Sequence, residues 1–182
     1  MQKKLLWFAL SAGIMITALF HATPAMATDP SGFTSTTIAK GQFADIDAFN
    51  KFVMPGTGPD WTKRIIWRSR QKTHGLSDGY VLNNTWDVGG STGWHTHLGH
   101  TLIIVTAGTI TQYEASDPTC TGTSYTAGMT LVDEGGLDHS HIIRNEGTVQ
   151  AQVFAFRLIP TGQSGRIDAP DPGTCHFPPP GN

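Results

Sequence analysis

Two short stretches have the residue types and spacing to do chemistry: His95-Thr96-His97 and, some forty residues later, His139-Ser140-His141. In each, one residue separates two histidines. On a β-strand, residues i and i+2 point to the same face, so each pair, if it lies on a strand, aims two imidazoles at one point. Neutral imidazole is the commonest protein ligand for a transition metal. Two such pairs facing one interior describe a pocket for a divalent metal. Fe, Mn, Ni, Cu and Zn all accept imidazole donors, so the pattern leaves the metal open.

Strands have to position these residues, and the surrounding sequence supplies them. The run Thr101-Leu102-Ile103-Ile104-Val105-Thr106 is apolar between its threonines and fits a buried strand. Thr109 to Glu114 alternates, with Ile110, Gln112 and Glu114 on one face and Thr111 and Tyr113 on the other. Further strands are expected at Thr36–Ala39, Arg64–Arg68, Gly79–Val88, Met129–Asp133 and Val149–Ile159. Phe43 to Phe52 reads either as a strand or as an irregular arm. Gly89 to Gly93 is a glycine-rich turn; no Lys and no helical pattern follow it, so it is not a phosphate loop. Short strands, glycine turns and no amphipathic helix predict an all-β sandwich or barrel.

The first 27 residues read as a secretory signal peptide: Lys3 and Lys4, an apolar run from Leu5 to Phe20, and the small-x-small site Ala25-Met26-Ala27. The expected mature chain, Thr28 to Asn182, is one domain of about 155 residues with room for a sizeable core. Losing two lysines takes the formal charge from −2 to −4. A mildly acidic chain without basic clusters argues against nucleic acid as a partner. No second stretch is apolar enough to span a bilayer. An export signal with two cysteines, Cys120 and Cys175, predicts a disulfide tying the C-terminal segment to the body of the protein. The expected location is periplasmic or extracellular.

The stretch from Gly89 to Asn145 resembles the two motifs of the cupin family. The first runs glycine, five residues, His-x-His, three or four residues, glutamate, six residues, glycine. Gly89, His95, His97 and Gly108 match, but Thr101 stands where the glutamate belongs. The second runs glycine, five residues, Pro-x-Gly, two residues, histidine, three residues, asparagine. Gly128 and Gly136 match, and Glu134 replaces the proline. Counted from the glycines the histidine is His139; counted back from Asn145 it is His141. The resemblance covers roughly residues 61–160 and implies a jelly roll, the double-stranded β-helix barrel, with a divalent metal inside one end.

On that resemblance the chain divides into a signal (1–27), an N-terminal arm (28–60), a cupin barrel (61–160) and a Gly/Pro-rich tail (161–182). It also implies a homodimer built on an N-terminal strand. The implied ligands are His95, His97 and either His141 or His139, or all four, since the glutamate is missing. Three protein ligands leave positions open, as in catalytic metal sites. His100, Thr101, Tyr113, Glu114 and Trp94 are the expected pocket residues. Glu114 is the candidate base, and Asp133 and Glu134 are expected to orient an imidazole N–H. The function expected is a metal-dependent, oxygenase-type enzyme acting on a small molecule. The alternatives are a small-molecule or metal-binding protein without catalysis, or a metal-free barrel.

Overall fold

The computed structural model describes residues 27–54 and 65–178, and every regular element among them is a β-strand. Most of the expected signal peptide and Trp61, where the barrel was expected to begin, lie outside the described residues. One sheet carries β1 (Ser31–Phe43), β4 (Ser77–Ser91), β11 (Ala151–Pro160), β6 (Thr101–Ala107) and β9 (Thr130–Asp133). All its neighbours are antiparallel, with Thr34 opposite Thr85, Leu82 opposite Ala155, Ala155 opposite Ile103, and Ile103 opposite Leu131.

The far end of β4 curves over to pair with β10 (His141–Arg144). From there β7 (Thr109–Glu114) and β8 (Thr123–Thr126) extend on one side. β5 (His95–Thr96) and β12 (Ile167–Asp168) extend on the other. The two curved halves face each other as a nearly closed antiparallel barrel. Its core is formed by Leu82, Trp86, Ile103, Val105, Leu131, Val153 and Ala155 from the first half and Ile110 and Ile143 from the second. Burying such side chains is the main favourable contribution to folding.

Three expectations change. The run Thr101–Thr106 is buried on one face only: Ile103 and Val105 point inward, while Leu102 and Ile104 are about half exposed. Strand parity wins over a continuously apolar sequence. The expected arm is not one unit. β1 runs the length of β4 inside the barrel sheet, whereas β2 (Asp47–Met54) and β3 (Ile65–Lys72) pair in a separate two-stranded sheet. Third, the expected Gly/Pro-rich tail carries a strand, β12, which adds to the edge of β5, while the Cys120–Cys175 disulfide is present as expected.

Asn145 stitches the end of the barrel. It is fully buried; its amide donates to the carbonyls of Trp86, Asp87 and Val149, and its Oδ1 accepts from Gly147 N–H. An amide with every polar atom satisfied is what burial requires. Because Asn145 directly follows β10, it sets where that strand lies, and therefore where His141 falls.

Candidate metal centre and cavity

Three histidines reach the interior, each fixed by a backbone carbonyl. Ahead of His95 the turn is held by Gly93, whose N–H donates to Ser91 Oγ (3.0 Å), and by Trp94, whose N–H donates to Thr28 Oγ1 (2.7 Å). Gly93 has φ +67°, and a Cβ there would collide with the Thr28 carbonyl. His95 Nδ1 then lies 3.1 Å from Gly93 O. His97 Nδ1 is hydrogen-bonded to Gly99 O, and His141 Nδ1 lies 3.4 Å from His139 O. A carbonyl only accepts, so Nδ1 carries the proton and Nε2 is the atom offered to the interior. This is how ligating histidines are oriented.

The carboxylate missing from position 101 is supplied from the next strand. Asp133 ends β9 directly opposite Thr101. It is 2% exposed, and its Oδ2 lies 2.7 Å from His97 Nε2 and 3.1 Å from His141 Nε2. Ligand atoms of His97, Asp133 and His141 all fall within 4.8 Å of one another. Asp133 Oδ1 and His141 Nε2 are buried without hydrogen-bond partners. Orphaned buried polar atoms are rare, and here two converge with a carboxylate and a second imidazole. Two imidazoles and a carboxylate suit a divalent transition metal. Burial pushes the Asp133 carboxyl up, but the His141 and His97 rings beside it outweigh this and hold it below the usual carboxylate range.

His95 stands opposite His141 in register, with ring centroids 4.4 Å apart, and its centroid is 6.2 Å from that of His97. It borders the cluster rather than closing it. Burial, then the neighbouring His141 and Arg166, push its pKa down to about 2. His139 sits before β10, with its side chain half exposed, outside this grouping. Of the expected pocket residues, Thr101 is buried in the cavity and accepts a hydrogen bond from Arg157 Nε (2.9 Å). His100 is half-buried and does not line the cavity. Trp94 packs with Ile142, Ala169 and Cys175 in a second small core behind the site. Tyr113 packs on Phe177 and donates its hydroxyl to Glu146 (2.8 Å). Both aromatics were expected in the pocket; parity on β7 turns Tyr113 away from it, and Trp94, in the turn ahead of β5, packs into the second core instead.

A cavity of about 360 Å³ fills the barrel interior beside the cluster. Its apolar wall includes Phe33, Leu82, Trp86 and Ile103; His95, Thr101, Asp133, Arg157 and Arg166 form its polar end. Asp133 also lines a second cavity of about 320 Å³ with Glu114, Gln112 and His141. Glu114 lies opposite His141 across β7 and β10, and burial raises its pKa.

Asp133 was expected only as a partner for an imidazole N–H. Its inward position follows from sharing parity with Leu131, a pattern visible in the strand itself. Arg157 was signalled only by being a charge within an otherwise apolar strand. Nothing in the Gly/Ser-rich sequence around Arg166 marks it.

No family model matches the chain, and no curated protein matches it. Among solved structures it is similar to a cupin superfamily protein from Desulfitobacterium hafniense, with 16% identity over 44% of this chain and 67% of that one, and a TM-score of 0.38. It is also similar to a predicted oxalate decarboxylase from Thermotoga maritima, with 18% identity over 47% and 83% of the two chains and a TM-score of 0.37. A Klebsiella pneumoniae protein with a double-stranded β-helix domain gives 20% identity over 50% and 74%, and a TM-score of 0.41. At these identities the likeness concerns the strand arrangement, and residue roles rest on the geometry above.

Proposed function

We propose that this protein is a metal-dependent enzyme of the oxygenase type, acting on a small molecule in the barrel cavity. The observation that carries the reading is the buried convergence of His97, His141 and Asp133, with two of their polar atoms left without partners. His97, His141 and Asp133 would hold the metal, with His95 at the cavity side. When bound, such a metal supplies a site for dioxygen or for polarising a chelating substrate. The chain's own residues do the remaining work. The Nδ1 hydrogen bonds to Gly93, Gly99 and His139 carbonyls fix the three imidazoles before anything binds. The apolar wall around Trp86 gives a substrate's apolar body a surface to pack on. Glu114, whose pKa burial raises above the usual carboxylate value, lies opposite His141 and is placed to accept a proton there.

The reading extends to an exported protein. The Cys120–Cys175 disulfide supports an oxidising compartment. Among the described residues no helix is long and apolar enough to cross a membrane.

The test is metal content followed by oxygen consumption. The purified mature protein should carry about one transition-metal ion per chain. Oxygen uptake with a panel of small phenols and carboxylic acids should then depend on that ion. A metal-loaded protein that consumes no oxygen with any of them is a binding protein. A chain that takes up no metal sinks the proposal.

A further inference from the structure

Two arginines reach the polar end of the main cavity from separate elements. Arg157 comes from β11, and Arg166 comes from the loop leading into β12. Arg157 donates from Nε to Thr101 Oγ1 (2.9 Å) and from Nη1 to Gly165 O, both neutral acceptors. Arg166 donates from Nε to Asp168 Oδ1 (2.6 Å), but its Nη2 is buried with no partner. Among the described residues, Asp133 is the only acid lining this cavity, and its Oδ2 faces the His97 and His141 Nε2 atoms at 2.7 and 3.1 Å. Arg166 is thus paired with Asp168, and Arg157 is the cation of this cavity whose hydrogen bonds go to neutral acceptors, in a place where uncompensated charge is costly. Burial correspondingly depresses the pKa of Arg157, whose charge the Asp133 carboxylate favours and that of Arg166 opposes.

We propose that the cavity binds a small carboxylate on an apolar body, its carboxylate held by Arg157 and Arg166 and its body laid against Phe33, Leu82, Trp86 and Ile103. This rests on taking the cavity as the substrate chamber of the metal centre, and it names the class of molecule that enters. Guanidinium groups match carboxylate geometry and bind it with charge-assisted hydrogen bonds. The apolar wall selects against small hydrated anions, and the volume lies at the lower end of those that hold drug-sized ligands. The loop bearing Arg166 is held in place because β12 pairs with β5 and the Cys120–Cys175 disulfide ties down the following residues. The C-terminal segment is thus part of the binding site.

Benzoate, benzamide and acetate separate charge from apolar contact, and Trp86 in the wall provides a fluorescence readout beside calorimetry. The mature protein should bind benzoate about tenfold to a hundredfold more tightly than benzamide, the range expected for hydrogen bonds to a charged group. Acetate should bind more weakly than benzoate. Arg166→Gln should remove most of the preference for benzoate over benzamide while leaving the thermal midpoint of the ligand-free protein in place. Arg157→Lys gives a second variant that keeps the buried charge but loses the fork. Equal binding of benzoate and benzamide, or a preference that survives both substitutions, overturns the proposal. Repeating the titration after chelation keeps the two readings apart. A preference for benzoate that survives chelation supports the carboxylate site whatever the metal does, and a protein that takes up no metal when it is resupplied overturns the metal centre alone. Bound metal without that preference overturns the carboxylate site alone.

Discussion

In the first histidine pair both rings are buried, at 6% and 0% exposure for His95 and His97; in the second, His141 is 1% exposed while the His139 side chain is half exposed. The spacing is the same and the surroundings differ. His95 begins the two-residue strand β5, and His97 follows it into a turn clamped by Gly135, Gly136 and Thr96. His139 precedes β10 altogether, in the turn where its N–H donates to Gly136 O (3.0 Å), and only His141 enters the strand. Spacing alone therefore does not settle which ring enters: His97 is buried although it lies just beyond β5, whereas His139 lies two residues ahead of β10 and its side chain is half exposed.

Substitutions at these pairs should separate them, beginning with the largest effect. His97→Ala combined with His141→Ala should reduce bound metal from about one equivalent per chain to background, read by elemental analysis. Retained metal would sink the assigned centre. Next, replacing Cys120 and Cys175 by serine should lower the unfolding free energy by about 4 kcal/mol on the chain-entropy model, given their separation of 55 residues. Denaturant titration measures this. The loss should bear on the first pair more than the second, because β12 pairs with His95 and not with β10.

Gly135→Ala should cost about 1–3 kcal/mol, because φ is +66° and a Cβ would lie 2.5 Å from His97 Nδ1. Metal binding should weaken with it, whereas Gly128→Ala, where a Cβ meets nothing within 4 Å, should spare the metal.

A fourth test uses acid. His95 has its folded pKa depressed to about 2, so the folded state keeps it neutral while the unfolded chain takes up a proton near 6.5. Stability of the chelated protein should therefore fall as pH drops from about 6.5 towards 2. Asp133, depressed below 3.8, adds to the loss at the acid end of that window. His95→Gln should flatten the upper part of the profile; an unchanged slope there would remove His95 as its cause. The smallest effect is expected at His139. Alanine there should leave metal content unchanged and shift stability by no more than about 0.5 kcal/mol, as for ordinary surface positions.

Much of the barrel was legible because strand parity and glycine turns are local. Leu131, Ile103, Val153 and Ala155 alternate inward as their spacing predicts, and Gly108, at φ +67°, marks the reversal from β6 to β7. The outward Leu102 and Ile104 were misread because an apolar residue on an outer face looks, in sequence, like a buried one. The span of β1 was missed because its threonines and glycine carry little apolar signal. Its length comes from pairing with β4.

By itself, then, the sequence determined the all-β fold class and the paired cysteines, and offered the two His-x-His pairs as candidates for one interior without choosing among the second pair. These depend on residue type and spacing along the chain. Tertiary structure decided that His141 and not His139 enters, because Asn145 anchors the end of β10, which begins at His141. It placed Asp133 beside the two imidazoles through the register of β9 against Thr101. It also brought Arg166 to the cavity from the C-terminal loop. Each of these is a contact between residues more than thirty positions apart or a matter of register, and no local pattern encodes it.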